Sequence, residues 1–290
     1  MKVENDFCWL QCPFCQSGEM RLVGDIAYRR PVKFSTYVIA LQKTPELHEC
    51  LACSSWFTQN IVREAAAFEM YCNGQSSEKW PRSVGFTEEK PANIIRRLDL
   101  YFAKGKRVLD IGCNTGVLLD YARSRGCITG GVEPSDVSRG ILAGKGHEAF
   151  NSMTNIVGKY DVITAFDVVE HLYDVPAFFR KSADLLTEGG AVLFLTGDIS
   201  SLSVRLSGRH WWYLKAPEHI VFPSRAFLKN VPDFEIASTD ATYASLAYKR
   251  ALPLGLAHYV RKLLFIGSYD GLPSLGPDHM LVALRKAGRQ

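Results

Sequence analysis

The sequence lacks the features that would place the chain across a membrane, outside the cell or on nucleic acid. No uninterrupted apolar stretch reaches the roughly 18 residues of a spanning helix, and Glu4 and Asp6 stand where a secretory signal would begin its apolar core. A net charge of +4 over 290 residues is mild, so a nucleic-acid partner is not expected. We therefore expect a cytoplasmic protein whose eight cysteines are reduced, as metal ligands or buried thiols.

Repeats and low-complexity tracts are also missing, and the chain divides into three parts by composition and hydrophobic pattern. Residues 1–60 hold five of the eight cysteines and are predicted to form a small zinc-ribbon-like module. Residues 61–104 are predicted to be a helical linker or cap. Over residues 105–290, short apolar strands alternate with amphipathic helices, which predicts an α/β domain with a mainly parallel sheet covered on both faces. Residues 234–237 and 280–284 are expected to pair as an antiparallel hairpin at its edge.

Two Cys-x-x-Cys pairs, 34 residues apart, predict a metal centre in the first part. Each pair places two thiolates at one edge of a tetrahedral zinc site. The expected ligands are Cys12, Cys15, Cys50 and Cys53. The spacer is longer than in the commonest pattern, so Cys8 and His48 remain second choices, and four unrelated buried cysteines remain the alternative. Because protein would fill all four positions, the zinc is expected to be structural.

A turn after the first strand of the large domain predicts a nucleotide-like ligand. The strand ends in Asp110, and a turn with Gly112 and Gly116 opens a helix. Glycine allows a ligand to approach the backbone closely, and the helix N-terminus offers free N–H groups. Glu133 follows the next strand, 21 residues after Gly112, where an acid binds two ribose hydroxyls.

The same turn does not suit a dinucleotide. Aligned on Gly112, the G-x-G-x-x-G fingerprint would require glycine at Asn114 and Val117, and the turn offers no basic partner for a pyrophosphate. An acid at position 110 instead suits a ligand that carries an ammonium and a sulfonium. These residue types point to S-adenosylmethionine (SAM).

Residues 108–116 resemble the first motif of class I SAM-dependent methyltransferases, V-L-D-I-G-C-G-T-G, with Asn114 in place of the middle glycine. Residues 161–172 resemble the fourth-strand motif of that family, and residues 186–190 its turn before the fifth strand. Residues 209–222 look like a segment found in bacterial methyltransferases of sugar, polysaccharide and secondary-metabolite pathways, some of which carry an N-terminal four-cysteine module. The resemblance implies a Rossmann-like, seven-stranded methyltransferase sheet that binds SAM.

The resemblance also implies which residues contact SAM. The turn, including Cys113 and Asn114 between its two glycines, would shape the methionine pocket. Asp110 would help to hold the amino group, and Glu133 would bind the ribose. An adenine contact is expected from the loop after the third strand, at Asn151, Ser152 or Met153. Phe166 and Asp167, at the end of the fourth strand, would lie under the reacting methyl.

Two histidines are candidates for a base that removes the proton of a hydroxyl acceptor. His171 follows the fourth strand, at the carboxyl edge where such sheets bind ligands, and Glu170 beside it could orient it or act itself. His219 lies in a segment that often covers the acceptor in this fold. A purely structural role remains the alternative for all three residues, and we favour His171 as the base.

Two further segments allow two interpretations each. Trp211, Trp212 and Tyr213 would form either part of the core or a wall of the binding site, and we favour the wall. A stripe at helical spacing over residues 251–267, with basic neighbours, can lie on an anionic membrane. We favour its packing on its own domain as a lid.

The expected function is O-methylation of a small molecule or glycan precursor, ahead of N- or C-methylation. One alternative is an RNA methyltransferase that uses the zinc ribbon as its grip, although the module is not strongly basic and no Asn-Pro-Pro-Tyr-like motif follows the fourth strand. The other alternative is a SAM-binding or scaffold protein without turnover. The intact acids and glycines of the turn argue against it.

Overall fold

The structure of the protein, a computed structural model, describes residues 1–26, 32–74, 86–249, 252–264 and 271–288. The N-terminal part contains β1 (Lys2–Val3), β2 (Met20–Asp25), β3 (Val32–Phe34), β4 (Tyr37–Leu41), β5 (Glu46–Cys50), β6 (Trp56–Gln59) and α1 (Glu64–Asn73). The helices α2 (Phe86–Glu89) and α3 (Ala92–Asp99) follow. Residues 64–73, 86–89 and 92–99 of the predicted linker or cap are helical, and its residues 75–85 lie outside the described residues.

The large domain alternates strands and helices as the sequence predicts. Its first half contains β7 (Arg107–Ile111), α4 (Val117–Ser124), β8 (Ile128–Val132), α5 (Asp136–Gly144), β9 (Glu148–Phe150), β10 (Tyr160–Phe166), α6 (Val175–Leu185) and β11 (Leu186–Gly197). Its second half contains α7 (Leu202–Ser207), β12 (Val221–Phe222), α8 (Arg225–Leu228), β13 (Phe234–Thr242), α9 (Leu252–Leu264) and β14 (His279–Lys286).

A seven-stranded sheet forms the centre of this domain, in the order β13-β14-β11-β10-β7-β8-β9. The five strands β11, β10, β7, β8 and β9 run parallel to one another, and β14 is antiparallel to both β11 and β13. The predicted α/β fold with a seven-stranded sheet is confirmed. The two last strands pair antiparallel at the edge of the sheet, with β13 outermost, but helix α9 lies between them in the chain, so they are not a simple hairpin.

Local sequence explains how the central elements begin. The middle strands β10 and β11 are long apolar runs with both faces covered. Helix α5 begins after Ser135, whose hydroxyl accepts from the N–H of Ser138, and α6 begins after Asp174, whose carboxylate accepts from the N–H of Ala177. The glycines predicted as a turn before the fifth strand lie within β11, where Gly189 has φ of 71° and the pairing with β10 shifts register.

The N-terminal part is packed against the large domain. β12 pairs antiparallel with β6, so the four-stranded sheet β12-β6-β5-β2 joins the two parts, while β1, β4 and β3 form a separate sheet. Cys12, Phe14 and Phe57 pack in the same apolar core as Ile163 and Phe179 of the large domain. The predicted limits at residues 60 and 104 stay a prediction, and the strand pairing and the apolar core continue across them.

Helix α9 corrects the interpretation of residues 251–267 as a packed lid for residues 252–264, and the rest of that segment lies outside the described residues. Leu256, Val260, Leu263 and Leu264 are between 44% and 75% exposed. The helix contacts the domain through other residues, since Gly255 is buried and Tyr259 half-buried. The apolar stripe therefore faces solvent. Within the described ranges, no helix is both long and apolar enough to cross a bilayer.

Candidate active site

The turn after β7 and the acid after β8 meet at the carboxyl edge of the sheet. The carboxylate of Glu133 accepts hydrogen bonds from the backbone N–H groups of Asn114 and Ser135, each at 3.0 Å. Burial raises the pKa of Glu133. Both oxygens of this carboxylate are thus positioned by backbone donors, and each keeps a second lone pair for a ligand.

The backbone of the turn explains why Asn114 is accepted in place of glycine. Gly112 and Gly116 have φ of 68° and 78°, and Asn114 has φ of 48°. Asparagine is among the few residues that adopt this left-handed conformation readily. Its side-chain oxygen also accepts from the hydroxyl of Ser138 on α5, at 3.1 Å. The departure from the family motif therefore preserves the shape of the turn.

Two further predicted cofactor residues are buried, Asp110 before the turn and Cys113 within it. Asp110 accepts from the hydroxyl of Thr164 on β10 at 2.7 Å, and burial raises its pKa to about 7. Cys113 is buried as well, and burial raises the pKa of its thiol. A Cβ at Gly131 would lie 2.4 Å from the Cys113 sulfur, so β8 passes directly against the turn.

The loop after β9 lies at the same edge, because the N–H of Glu133 donates to the carbonyl of Phe150 at 2.9 Å. Ser152 caps a short turn by accepting from the N–H of Thr154, and Met153 packs partly buried against the main core. Their contact with a cofactor stays a prediction.

The end of β10 presents Phe166 and Asp167. Phe166 packs near Phe86, with 6.2 Å between the ring centres. Asp167 has φ of 54°. Its carboxylate lies 3.7 Å from Nζ of Lys90, and Asp167 is the more exposed of these two side chains. The hydroxyl of Tyr213 lies 3.3 Å from the Asp167 carboxylate. A non-glycine residue held in the left-handed region at a sheet edge is typical of functional sites.

The three predicted catalytic residues form one cluster. Potential ligand atoms of Glu170, His171 and His219 all lie within 4.8 Å of one another, and the two imidazole rings are perpendicular with 4.8 Å between their centres. Glu170 is fully buried and accepts from the hydroxyls of Thr196, at 2.9 Å, and Tyr213. Residues that the sequence separates by 48 positions are thus brought together.

Hydrogen bonds to the backbone define the tautomer of both rings. Nδ1 of His171 lies 2.7 Å from the carbonyl of Glu218, and Nδ1 of His219 lies 2.7 Å from the carbonyl of Tyr213. A carbonyl only accepts, so Nδ1 donates in each case and Nε2 is left as a proton acceptor. His219 is buried, and this burial holds its pKa well below the usual value. His171 is the more exposed of the two.

The N-terminal part contributes to this site, which the sequence did not indicate. The hydroxyl of Tyr71 on α1 lies 3.1 Å from Nδ1 of His171. The N–H of Ser35 donates to the carboxylate of Glu218 at 2.7 Å, and the hydroxyl of Ser135 donates to the carbonyl of Gly74. No motif surrounds Tyr71 or Ser35, so only the packing of α1 and β3 on the large domain identifies them.

A second histidine centre, also missed, lies where β14 meets the carboxyl end of β11. Nδ1 of His279 donates to Asp278 at 2.8 Å, and Asp278 also accepts from the indole N–H groups of Trp211 and Trp212 at 2.9 and 2.7 Å. Both Asp278 and His279 are buried. Among the described residues, Nε2 of His279 has no hydrogen-bond partner. A lone histidine at the start of a strand gave no signal in the sequence.

These contacts correct the interpretation of the aromatic segment as a binding wall. Trp211 and Tyr213 are buried in an apolar cluster with Phe222 and neighbours. Trp212 is half-buried, stacked on Tyr248 with 4.5 Å between ring centres. Core packing therefore accounts for Trp211 and Tyr213, because the indole N–H and phenol O–H groups find buried acceptors inside the domain.

The two cysteine pairs also come together. Sulfur atoms of all four lie within 4.8 Å of one another, with 3.7 Å from Cys12 to Cys53 and 3.5 Å from Cys15 to Cys50. Tetrahedral zinc with bonds of about 2.3 Å needs sulfurs roughly 3.8 Å apart, so the donor set fits zinc. The thiol of Cys8 is hydrogen-bonded to the side chain of Asn60, and the imidazole of His48 to the carboxylate of Glu46. Within the described part of the chain, neither joins the cluster.

The two knuckles have the same backbone design. In each, the residue after the second cysteine has positive φ, 59° at Gln16 and 58° at Ser54. The N–H of each of these residues donates back to the carbonyl of the first cysteine, at 2.9 and 2.8 Å. Such repetition is expected of a pair of turns built to present thiolates to one ion.

Together, the strand order and the glycine turn facing an acid just after the next strand define the fold of a class I SAM-dependent methyltransferase. A family model described as a methyltransferase domain matches residues 84–231. The chain therefore belongs to that family. It is 35% identical over 127 residues to the ubiquinone biosynthesis O-methyltransferase of Escherichia coli O127:H6, covering 38% of this chain and 53% of the relative.

Other comparisons agree on the domain. The chain is 32% identical over 153 residues to the ubiquinone biosynthesis O-methyltransferase of Escherichia coli O9:H4, covering 46% of this chain and 61% of that protein. It thus spans a little over half of the length of these relatives. Magnesium protoporphyrin IX methyltransferase of Synechocystis PCC 6803, with bound SAH, has the same fold, with a TM-score of 0.52, 14% identity, and coverage of 78% of this chain and 100% of that one.

Proposed function

We propose that the protein transfers a methyl group from SAM to a hydroxyl of a small molecule or glycan precursor. The observation that carries this proposal is the meeting of the Gly112–Gly116 turn, Glu133 and a histidine cluster at one edge of a methyltransferase sheet. The relatives named above are O-methyltransferases, which supports oxygen as the acceptor atom.

Each part of the site has a distinct task in this proposal. Bound SAM supplies a methyl group already activated by its sulfonium. Glu133 accepts from the ribose hydroxyls, the glycine turn admits the methionine part, and Asp110 helps to hold its amino group. The remaining contribution is mainly the positioning of the two reactants.

The proton of the acceptor goes to Nε2 of a histidine. Both His171 and His219 carry their own proton on Nδ1, so Nε2 of either neutral ring can receive the proton of the acceptor. We assign this role to His171, because it is less buried than His219 and is anchored directly after β10. Glu170, buried against Thr196 and Tyr213, stabilises the imidazolium that forms.

The test of the cofactor site is the replacement Glu133→Ala. Two charge-assisted hydrogen bonds to ribose, each about 1.5–3 kcal/mol, would be lost, so SAM affinity should fall by tenfold or more. Glu133→Gln should fall between wild type and Glu133→Ala. Isothermal titration calorimetry measures both affinities.

Asp136→Ala is the matched control. It also removes a negative charge, three residues after Glu133 in the chain, but the side chain of Asp136 is 87% exposed. Its SAM affinity should stay within about twofold of wild type. Unchanged affinity in a folded Glu133→Ala protein would refute the assignment. Incubation of the wild type with labelled SAM and cell extract then identifies the acceptor.

A further inference from the structure

Two neighbouring helices at the carboxyl edge of the sheet expose an apolar surface. On α9 it comprises Leu256, Val260, Leu263 and Leu264, and on the adjacent α7 it comprises Leu202 and Leu206. The hydroxyl of Tyr259 on α9 lies 3.4 Å from the carbonyl of Leu206, so the two helices are in contact. We refer to these six residues as the α7–α9 surface. Soluble monomers rarely expose contiguous apolar patches of this kind.

The orientation of α9 shows that the exposure is built into the fold. Gly255 is buried, and His258, Tyr259 and Lys262 are half-buried. Their spacing of three and four residues places them on one face of the helix, which rests on the domain. Leu256, Val260 and Leu263 share a different face. The helix is therefore held so that its apolar stripe points away from the protein.

The two chain segments that carry this surface contain positive charges and no acids. Neither residues 199–217 nor residues 241–269 contain an Asp or a Glu. Arg205 on α7 and Arg261 on α9 are exposed beside the leucines, and Lys249 is exposed just before α9. Leucines bordered by cations without neighbouring acids in the sequence are the composition of a helix that lies in the headgroup region of an anionic bilayer.

We propose that the α7–α9 surface docks the protein peripherally on anionic lipid. A second copy of the chain fits the surface less well, because a symmetric contact would place the arginines of both copies in one interface, and these segments supply no acid to pair with them. A bilayer offers both an apolar interior for the leucines and negative headgroups for the arginines. This proposal goes beyond methyl transfer and does not depend on it.

The test is co-sedimentation with two kinds of vesicle, phosphatidylcholine alone and phosphatidylcholine mixed with phosphatidylglycerol. The wild type should bind the mixed vesicles, bind neutral vesicles weakly, and be released by salt. The double variant Leu256→Glu/Leu263→Glu should lose roughly tenfold or more in affinity, because it places two acids on the apolar stripe. Arg261→Gln should lose about fivefold.

Val157→Glu is the matched control. Val157 is 89% exposed and precedes β10, at the opposite edge of the sheet from α7. This variant should sediment with the mixed vesicles like the wild type. SAM affinity equal to that of the wild type in all three variants verifies that they are folded.

Two results would overturn the proposal. One is failure of the wild type to bind mixed vesicles, or equal binding by wild type and the double variant. The other is a wild-type dimer in sedimentation velocity that the double variant abolishes, without vesicle binding, which would make the surface a contact between copies.

Discussion

At the scale of single residues, hydrogen bonds to backbone carbonyls prepare two imidazoles for the same task. Glu218 and Tyr213 each accept from an Nδ1–H, so His171 and His219 both present Nε2 without a proton. Burial then separates them, because it keeps His219 neutral and out of solvent, whereas His171 stays partly accessible. The two rings therefore differ mainly in how accessible they are to an acceptor from solvent.

His171→Ala should lower turnover by about 10²–10⁴-fold, the usual contribution of a general base. Calorimetry should show SAM affinity nearly unchanged, because the ring is anchored to Glu218 and Tyr71 and not to the glycine turn. The measurement is single-turnover methyl transfer to the identified acceptor.

His219→Ala is the companion variant and should show a smaller loss, mainly in acceptor binding. His210→Ala is the control, since His210 lies on a short turn and belongs to no cluster identified above. Near-normal rates in both His171→Ala and His219→Ala would mean that positioning alone explains catalysis.

Asp110 links the cofactor site to the pH dependence of stability. Burial raises the pKa of its carboxyl to about 7 in the folded protein, above the value of about 3.9 in an unfolded chain. The folded state therefore binds more protons than the unfolded state between these values, and stability falls as pH rises from about 4 to 7.

Asp110→Asn removes this titration and keeps an oxygen that accepts from Thr164. Its free energy of unfolding, relative to wild type, should be higher at pH 8 than at pH 4 by up to about 4 kcal/mol, as measured by urea denaturation at both pH values. The same variant should bind SAM more weakly if Asp110 holds the amino group. A pH-independent difference in stability would contradict the burial argument.

At the scale of elements, the cysteine knuckles are part of the support of the large domain. The hydroxyl of Ser224, which caps α8, donates to the carbonyl of Cys53, and the N–H of Ser224 donates to the hydroxyl of Ser55 at 3.0 Å. Phe14, between the cysteines of the first knuckle, packs near Phe227, with 4.9 Å between ring centres. Loss of a metal there should therefore destabilise the large domain as well as the knuckles.

We expect the purified protein to carry one zinc through these four cysteines. Cys50→Ser should lower the zinc content in elemental analysis and lower the midpoint of a single thermal transition by on the order of 5–10 °C, equivalent to a few kcal/mol. The whole chain should respond, because Cys50 shares its core with the large domain.

Cys8→Ser is the control for that experiment, since Cys8 is exposed and lies outside the cluster. It should keep full zinc content and the wild-type melting temperature. A metal-free, fully folded wild type would remove the basis for a structural zinc.

At the scale of the whole molecule, the N-terminal part encloses one side of the candidate site. Strand β12 joins the sheet of β6, Tyr71 reaches His171, and Gly74 accepts from Ser135 beside the proposed ribose ligand. The site is therefore assembled from both parts of the chain, while the exposed α7–α9 surface lies at the same edge of the sheet.

The sequence by itself determined the sheet, the turn and the cysteine centre, because each depends on short-range patterns. Alternating apolar segments predicted the strands, Gly112 and Gly116 predicted the turn, and the spacing of the two cysteine pairs predicted their meeting. In such segments, the backbone preference of the residues and their burial favour the same local structure, so a prediction from the local sequence is correct.

Only the tertiary structure decided which distant groups meet and which faces remain open. The contact of Tyr71 with His171, the pairing of Asp278 with His279, and the burial of Trp211 join segments far apart in the chain, and no local pattern encodes such partners. The stripe on α9 was visible in the sequence. Its direction was not, because periodicity defines an apolar face but not the surface it meets.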